Sequence, residues 1–372
     1  MKVLVTTIRG FEEYSAQEAK QLGCKVLELR QARVLLEGDE RCIYVLNNFA
    51  RTVNKVLILL RRDIVENLED IYKKAFSLDY SFIRPEQSFA VRSERSGIHD
   101  FASIDIARVV GQAVIDSYQK DTGKKIKVDL DEPDVEIEAD LIENELFISV
   151  NTTGNGLNFR EYRVYNHPSS LKPTLATALV IMSQWDGSRL VDPFTGGATI
   201  PIEAALYALS SPVRPSGNFK YKMLSFYDRS QEEVILKNAC KKFEVQEKIV
   251  GIEISYKHFT GATKNVSSAN LNEYIELIFG DSINVQFNER FKFLISNPPY
   301  GIRSGRKEKV LKIYELFVKK LDKVLEEGGQ GVMITTEYKK LSEFLNERGY
   351  RILKINTGLH GKLWVGALLF RS

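Results

Sequence analysis

Cysteine and histidine are scarce in this 372-residue chain, and neither is arranged for chemistry. Cys24, Cys42 and Cys240 form no CxxC pair, and none follows a proline as the thiol that attacks pyrimidine carbon-5 would. They are expected to be buried small apolar residues rather than metal ligands or disulfide partners. His99, His167, His258 and His360 lack metal-ligand spacing, so no metal is expected. Long apolar runs are absent too: Val56 to Leu60 and Val365 to Phe370 fall far short of a bilayer span. Met1 to Arg9 contains no apolar signal core, so a cytoplasmic location is expected. Neither GxGxxG nor a lysine-bearing phosphate loop occurs, which argues against a bound pyrophosphate.

What is present is ordinary globular material. Apolar residues make up 44% and charged residues 27%, and the length suits two or three domains. The net charge of +3 hides a division. Residues 1–165 carry 23 Lys/Arg against 28 Asp/Glu, and the remainder 29 against 21. The N-terminal deficit comes from nine acids, with no base among them, between Asp129 and Glu145. This pattern predicts basic surface on both halves and one acidic face pointing away, which suits a polyanionic partner or a plain solvated surface.

Three regions emerge. Over residues 1–62 the order is β-α-β-β-α-β, as in a ferredoxin-like α+β domain, with strands at Val3–Thr7, Val26–Leu29, Ala32–Leu36 and Val53–Leu60. Next come a helix from Leu68 to Leu78, a strand Ser88–Ser93 and a helix Ser103–Gln119 with Ile104, Ala107, Gly111 and Ile115 spaced for burial. A strand Asp134–Asp140 follows, with Val135, Ile137 and Ala139 inward and Glu136, Glu138 and Asp140 outward, then a return strand Leu146–Val150. Residues 151–173 read as a linker. From Ala176 strands alternate with helices, which predicts an α/β, doubly wound parallel sheet. One helix should start at a capping box, Ser230 with Glu233, and another should run from Val310 to Val324 and stop at Gly328-Gly329.

Of ten prolines, the only adjacent pair stands in Asn297-Pro298-Pro299-Tyr300, at the end of the apolar run Phe291–Ile295. Two prolines remove backbone donors and stiffen a strand's carboxyl end, where open α/β sheets place ligands. That geometry suits an exocyclic amine on a flat base. Asn297 and the Pro298 carbonyl can accept from the amine, while Tyr300 stacks on the ring.

The first strand of this sheet ends in Asp192-Pro193-Phe194-Thr195-Gly196-Gly197-Ala198-Thr199, whose small residues admit a ligand to a helix N-terminus. The second ends at Glu253-Ile254, where a carboxylate can accept from ribose hydroxyls, and the third at Asp281-Ser282, where adenine can donate. Ribose, adenine and a small-residue loop describe a nucleoside cofactor without phosphates, S-adenosylmethionine.

These motifs resemble the class I S-adenosylmethionine-dependent methyltransferases of the Asn-Pro-Pro-Tyr type over residues 176–372. The resemblance implies a Rossmann-like sheet of order 3-2-1-4-5-7-6 with its last strand antiparallel. Ala198 departs from the family's usual glycine and disfavours positive φ. Residues 63–165 resemble the RNA-binding THUMP domain through Phe89 to His99, Ala107 to Gly111, Asp129 to Glu138 and Val150 to Gly154. Over the full length the chain is similar to the archaeal tRNA guanine-N2 methyltransferases acting at position six of the acceptor stem. Asn166-His167-Pro168 and Ser170 to Ala176 also fit that family and would lie over the cofactor, or else form a linker and helix start.

The resemblance implies direct methyl transfer to a guanine amine, with Asn297, Pro298 and Tyr300 at the reacting group. Arg92, Arg95 and Arg108 are read as phosphate contacts or as a solvated basic face. The segment Arg303 to Lys309, with Arg306 and Lys307, is read as a clamp on RNA or as a plain surface loop. No obligate protein partner is indicated. Rival readings are adenine-N6 methylation of DNA, guanine-N2 methylation of ribosomal RNA, and a non-catalytic RNA-binding adaptor.

Overall fold

A strand, β1 (Lys2–Thr6), starts the chain, and a helix, α1 (Glu12–Gln21), carries it over one sheet face. The hairpin β2 (Lys25–Arg30) and β3 (Arg33–Glu37), helix α2 (Glu40–Phe49) and strand β4 (Lys55–Ile64) complete the expected β-α-β-β-α-β order. The second region contributes α3 (Leu68–Phe76), β5 (Ser88–Arg92), β6 (Arg95–Ser96), α4 (Ser103–Thr122), β7 (Lys127–Val128), β8 (Val135–Ile142) and β9 (Glu145–Asn151). The computed structural model describes residues 1–239, 241–301 and 307–372.

The two regions share one sheet. β4 continues to Ile64 and pairs antiparallel with β9, giving the order β2-β3-β1-β4-β9-β8-β5-β7, with β6 beside β8. The acids expected to point into solvent do not all do so. Glu138 and Asp140 are buried, paired with Lys55 and with Arg33, whose guanidinium lies 2.6 Å from Asp140. Arg33 stands four strands from Asp140 in sheet order, so the sheet curls strongly and folds these acids onto cations of the first region. Glu145 is likewise paired with Arg62. Much of the acidic run is thus internal neutralisation rather than a free face. Helix α4 corrects another expectation: Ile106, Val110, Ala113 and Val114 are buried, while Ile104 is 72% exposed.

Cys24 and Cys42 form a disulfide, contrary to the expectation of unpaired thiols. Cys24 follows α1 and Cys42 lies in the first turn of α2, with Cα atoms 5.8 Å apart, a separation that suits the bond. Sequence separation gave no hint of this proximity. Cys240 lies outside the described residues.

The C-terminal half comprises α5 (Pro173–Met182), β10 (Leu190–Asp192), α6 (Thr199–Ala208), α7 (Arg229–Lys237), β11 (Ile249–Glu253), α8 (Tyr256–Ser268), β12 (Ile275–Phe279) and β13 (Phe291–Ser296). It closes with α9 (Lys307–Val318), α10 (Leu321–Val324), β14 (Leu325–Thr335), α11 (Tyr338–Glu347), β15 (Arg351–His360) and β16 (Leu363–Arg371). The sheet order β12-β11-β10-β13-β14-β16-β15 is the expected 3-2-1-4-5-7-6, with β16 antiparallel to both neighbours. Asp228, not Ser230, caps α7 and accepts from the Ser230 and Gln231 N–H groups. The expected helix over 310–324 breaks after Val318, where the Lys320 ammonium turns to the Ser282 and Val285 carbonyls.

The halves exchange core residues. Ile8, Phe11 and Tyr14 pack among the apolar side chains of α5 and α6. Val213, Phe219, Tyr221 and Leu224, from the connection after α6, pack into the N-terminal core. Between them sits a fully buried ion cluster. Glu203 on α6 accepts from Arg51 Nε and Arg160 Nε, each at 2.9 Å, from Tyr162 Oη at 2.8 Å and from Thr177 Oγ1 at 3.0 Å. Burial alone would raise the Glu203 carboxyl, but the Arg160 and Arg51 guanidinium groups outweigh it and hold it at about 2.

Candidate active site

Four parallel strands end side by side in the order β12, β11, β10, β13, in close register: Glu253 faces Phe279, Asp192 faces Gly251 and Val191 faces Leu294. Asp281, Glu253, the loop after Asp192 and Asn297 therefore stand in a row of roughly 14 Å, three strand spacings. The chain leaves β10 toward β11 on one side and returns to β13 on the other, so this row straddles the sheet's topological switch point.

The loop after β10 is held open by its backbone. Gly196 (φ 54°) and Ala198 (φ 62°) both take left-handed conformations. Ala198 is the N-cap of α6 and has no side-chain cap, so the first N–H groups of α6 lack a capping side chain. The sequence argument that alanine disfavours positive φ is right in energy, yet the residue adopts it. The loop is fixed by Thr195 N–H donating to the Ile252 carbonyl at 3.0 Å, with Gly251 leaving space for the Thr195 side chain. Thr195 is buried, and its side chain bonds the Asp192 carboxylate. Phe194 stands edge-on to Phe317, ring centroids 5.1 Å apart.

Asp192 lies beneath this loop and is 1% exposed. It accepts from Ser296 Oγ at 2.6 Å and from Phe194 N–H at 3.2 Å. Burial raises its carboxyl to about 7, against the opposing pull of those bonds. Glu253 is half-buried and accepts from Ser255 N–H at 2.7 Å, while Ile254 is 65% exposed. Asp281 accepts from Ile283 N–H and from the Asn284 amide, and Ser282 is buried beside it.

The segment expected to lie over the cofactor crosses the glycine loop. Asn265 of α8 donates to the Tyr165 and Gly197 carbonyls at 3.0 Å each and accepts from Tyr165 N–H at 2.8 Å. That strap brings His167 over Gly196 and Gly197, where an added Cβ would lie 3.4 and 3.3 Å from its side chain. Pro168 follows on the exposed side. The His167 ring meets His258 edge-on at 4.2 Å, and Tyr165 Oη bonds His258 Nδ1 at 2.6 Å. Burial, and then the His258 charge, lowers His167 to about 4. Thr199, the first residue of α6, bonds Arg163 at 3.0 Å.

Beyond β13, Asn297 Oδ1 and Tyr300 Oη are both buried without partners among the described residues. The turn is braced below by Tyr314, which donates to the Pro299 carbonyl at 2.6 Å. Burial raises the Tyr300 hydroxyl far above its ordinary range, keeping the phenol neutral. Sequence reasoning missed Ser296, Asn265 and His360. His360, at the end of β15, stands edge-on to Tyr300 with ring centroids 6.2 Å apart, and only its place beside a hairpin glycine could have drawn notice.

The basic residues lie elsewhere. Arg92, Arg95 and Arg108 are exposed. Arg92 bonds the Leu130 carbonyl, Arg95 bonds His99, and Arg108 pairs with Asp105 at 2.8 Å. Lys307 opens α9 and pairs with Glu337 at 3.0 Å. Arg303 and Arg306 lie outside the described residues.

Residues 160–365 match the RMKL-like methyltransferase domain, residues 65–151 the THUMP domain, and residues 2–57 the RlmL ferredoxin-like domain. The chain belongs to the RMKL-like methyltransferases. Among relatives of this RMKL-like methyltransferase is a tRNA (guanine(6)-N2)-methyltransferase of Methanocaldococcus jannaschii, 37% identical and covering 95% of each chain. A second relative of that name, from Archaeoglobus fulgidus, is 36% identical over 100% of this chain and 92% of its own. In fold it is similar to a crystal structure described as a possible methylase from Clostridium difficile 630, with a TM-score of 0.88 at 24% identity over 99% and 97% of the two chains.

Proposed function

We propose that this chain transfers a methyl group from S-adenosylmethionine to the exocyclic N2 of a guanosine in tRNA, at position six of the acceptor stem, giving N2-methylguanosine. The observation that carries the reading is Asn297 Oδ1: a buried carbonyl oxygen without a donor among the described residues, on a proline-stiffened turn at the switch point. An unpaired buried acceptor costs about 1–3 kcal/mol and calls for a donor from the substrate. The two relatives named for this reaction, matched over nearly the whole chain, supply the substrate class.

The residues fit the cofactor. Gly196 and Gly197 leave a cradle that a Cβ would crowd against His167. Asp192, Phe194, Thr195, Gly196, Gly197, Ala198 and Thr199 would hold the methionine part, with His167 and Pro168 above. Glu253 and Ile254 would take the ribose, Asp281 and Ser282 the adenine, and Asn297 would border the reacting group. The bound cofactor supplies a methyl carbon activated by a cationic sulfur. Asn297 Oδ1 and the Pro298 carbonyl accept from the two amine protons, which concentrates the nitrogen lone pair and stabilises the charge that develops on it. Tyr300 stacks on the base and offsets part of the cost of flipping it from the stem. The amine proton turns acidic only after transfer and passes to solvent, so no strong base is required.

Residues 63–165, after the ferredoxin-like region 1–62, are assigned to RNA binding and residues 176–372 to transfer, with Arg92, Arg95, Arg108 and Lys307 on backbone phosphates. No described helix is long and apolar enough to cross a membrane. The test is incubation of unmodified tRNA with labelled S-adenosylmethionine, followed by nucleoside analysis. N2-methylguanosine is expected. N6-methyladenosine, or no labelled nucleoside, overturns the reading.

A further inference from the structure

Three polar atoms around the Asn-Pro-Pro-Tyr turn are buried without partners among the described residues: Asn297 Oδ1, Tyr300 Oη and His360 Nδ1. Two belong to the turn, and the third belongs to a ring that packs edge-on against it at 6.2 Å. Proteins rarely leave such a group unsatisfied, so three at one place point to a ligand that completes them.

His360 is held from two other directions. Burial and then the Lys172 ammonium lower the imidazole below its ordinary range and so keep it neutral, against a hydrogen bond to the Ser170 backbone that raises it. A neutral imidazole has one donor and one acceptor nitrogen. Since Nδ1 has no partner among the described residues, we assign the Ser170 bond and the proton to Nε2, which leaves Nδ1 an acceptor. The backbone of β15 is fixed by the N-terminal region: Leu359 N–H donates to the Arg9 carbonyl at 3.0 Å, and the Asn356 amide donates to the Gly10 carbonyl. Gly358 lies so close to Phe11 and to the Arg9 carbonyl that no Cβ would fit. The ring is therefore preorganised rather than free to adapt.

An amide and a proline carbonyl grip an aromatic amine, but both guanine and adenine carry one. The bases differ at the ring nitrogen beside it. Guanine N1 bears a hydrogen; adenine N1 bears a lone pair. We infer that His360 is the residue that selects guanine, its Nδ1 accepting the N1–H next to the reacting amine and repelling a lone pair at that place. This rests on the functional reading above and assigns base choice to a residue outside the motif.

The test uses the full chain and tRNA bearing either guanine or 2-aminopurine at the methylated position. The analogue keeps the amine and lacks the N1–H. The wild type should prefer guanine in kcat/KM by about 10- to 100-fold, the worth of one buried hydrogen bond. His360→Ala should lose most of that preference by slowing guanine while leaving the analogue nearly unchanged. His360→Asn, which returns an acceptor near Nδ1, should restore much of it. Equal losses on both substrates in His360→Ala would make His360 merely structural and overturn the proposal. So would an unchanged preference. Should His360→Ala not fold, a folded His360→Asn that shows no preference overturns it as well. A wild type that forms no N2-methylguanosine sinks the functional reading and this role together, whereas one that does, with equal losses in the variant, sinks only the role of His360.

Discussion

Ser296 donates its hydroxyl proton to Asp192 at 2.6 Å, joining the strand that ends in the glycine loop to the strand that ends in the Asn-Pro-Pro-Tyr turn. Both residues are buried. Asp192 has its carboxyl raised to about 7 from an ordinary 3.8. A raised folded-state value means that its contribution to stability is fully present below pH 3.8 and is lost as pH rises through 7. Asp192→Asn has no such loss. Its Tm relative to wild type should therefore improve by several degrees between pH 4 and pH 8. A difference flat with pH would contradict a buried, strained carboxylate. Ser296→Ala removes an opposing donor and should move the wild-type loss to lower stability at the same pH.

Asn297→Ala deletes one charge-stabilising acceptor and leaves the glycine loop untouched. Cofactor affinity, measured by calorimetry, should stay within a few fold of wild type, while single-turnover methylation falls by about 100-fold. Comparable turnover in the variant would remove the amide from the mechanism.

Glu203→Gln strands two guanidinium groups, Arg51 and Arg160, that are both buried. Breaking one side of a buried ion cluster costs about 3–5 kcal/mol, which urea denaturation should read directly. A loss under about 1 kcal/mol would mean that water or neighbouring carbonyls already satisfy the arginines.

The Cys24–Cys42 bond spans 18 residues between two helices of the first region. Cys24→Ala/Cys42→Ala, or reduction of the wild type, should lower stability by about 2–4 kcal/mol. In denaturant, two of the three cysteines should resist alkylation until reductant is added. Three reactive thiols in unreduced protein would show that the bond does not form.

The parallel sheet and the row of polar residues at its strand ends were legible in the sequence because each strand end announces itself: a short apolar run stops at Asp192, Glu253, Asp281 or Asn297. The errors share a cause. Alternation in β8 distinguishes two faces but cannot say that the polar face will meet Arg33 and Lys55 from a curled sheet. The seven-residue rhythm from Val310 to Val324 is compatible with one helix or two, since the Lys320 turn carries no proline or glycine. Pairing of Cys24 with Cys42 depends on how α1 and α2 sit, which no local pattern encodes. The same holds for His360, brought to Tyr300 by the last hairpin of the sheet.

Glu203 also bears on how this chain could be shortened. A fragment beginning at residue 160, where the methyltransferase match starts, would keep Glu203 and Arg160 but lose Arg51 and the Ile8, Phe11 and Tyr14 side chains that cover α5 and α6. It would also bare Phe219 and Tyr221, whose partners are N-terminal. Such a fragment should be insoluble by itself and recoverable only when co-expressed with residues 1–159. Three family models divide this chain, but its shared cores make the pieces one folding body.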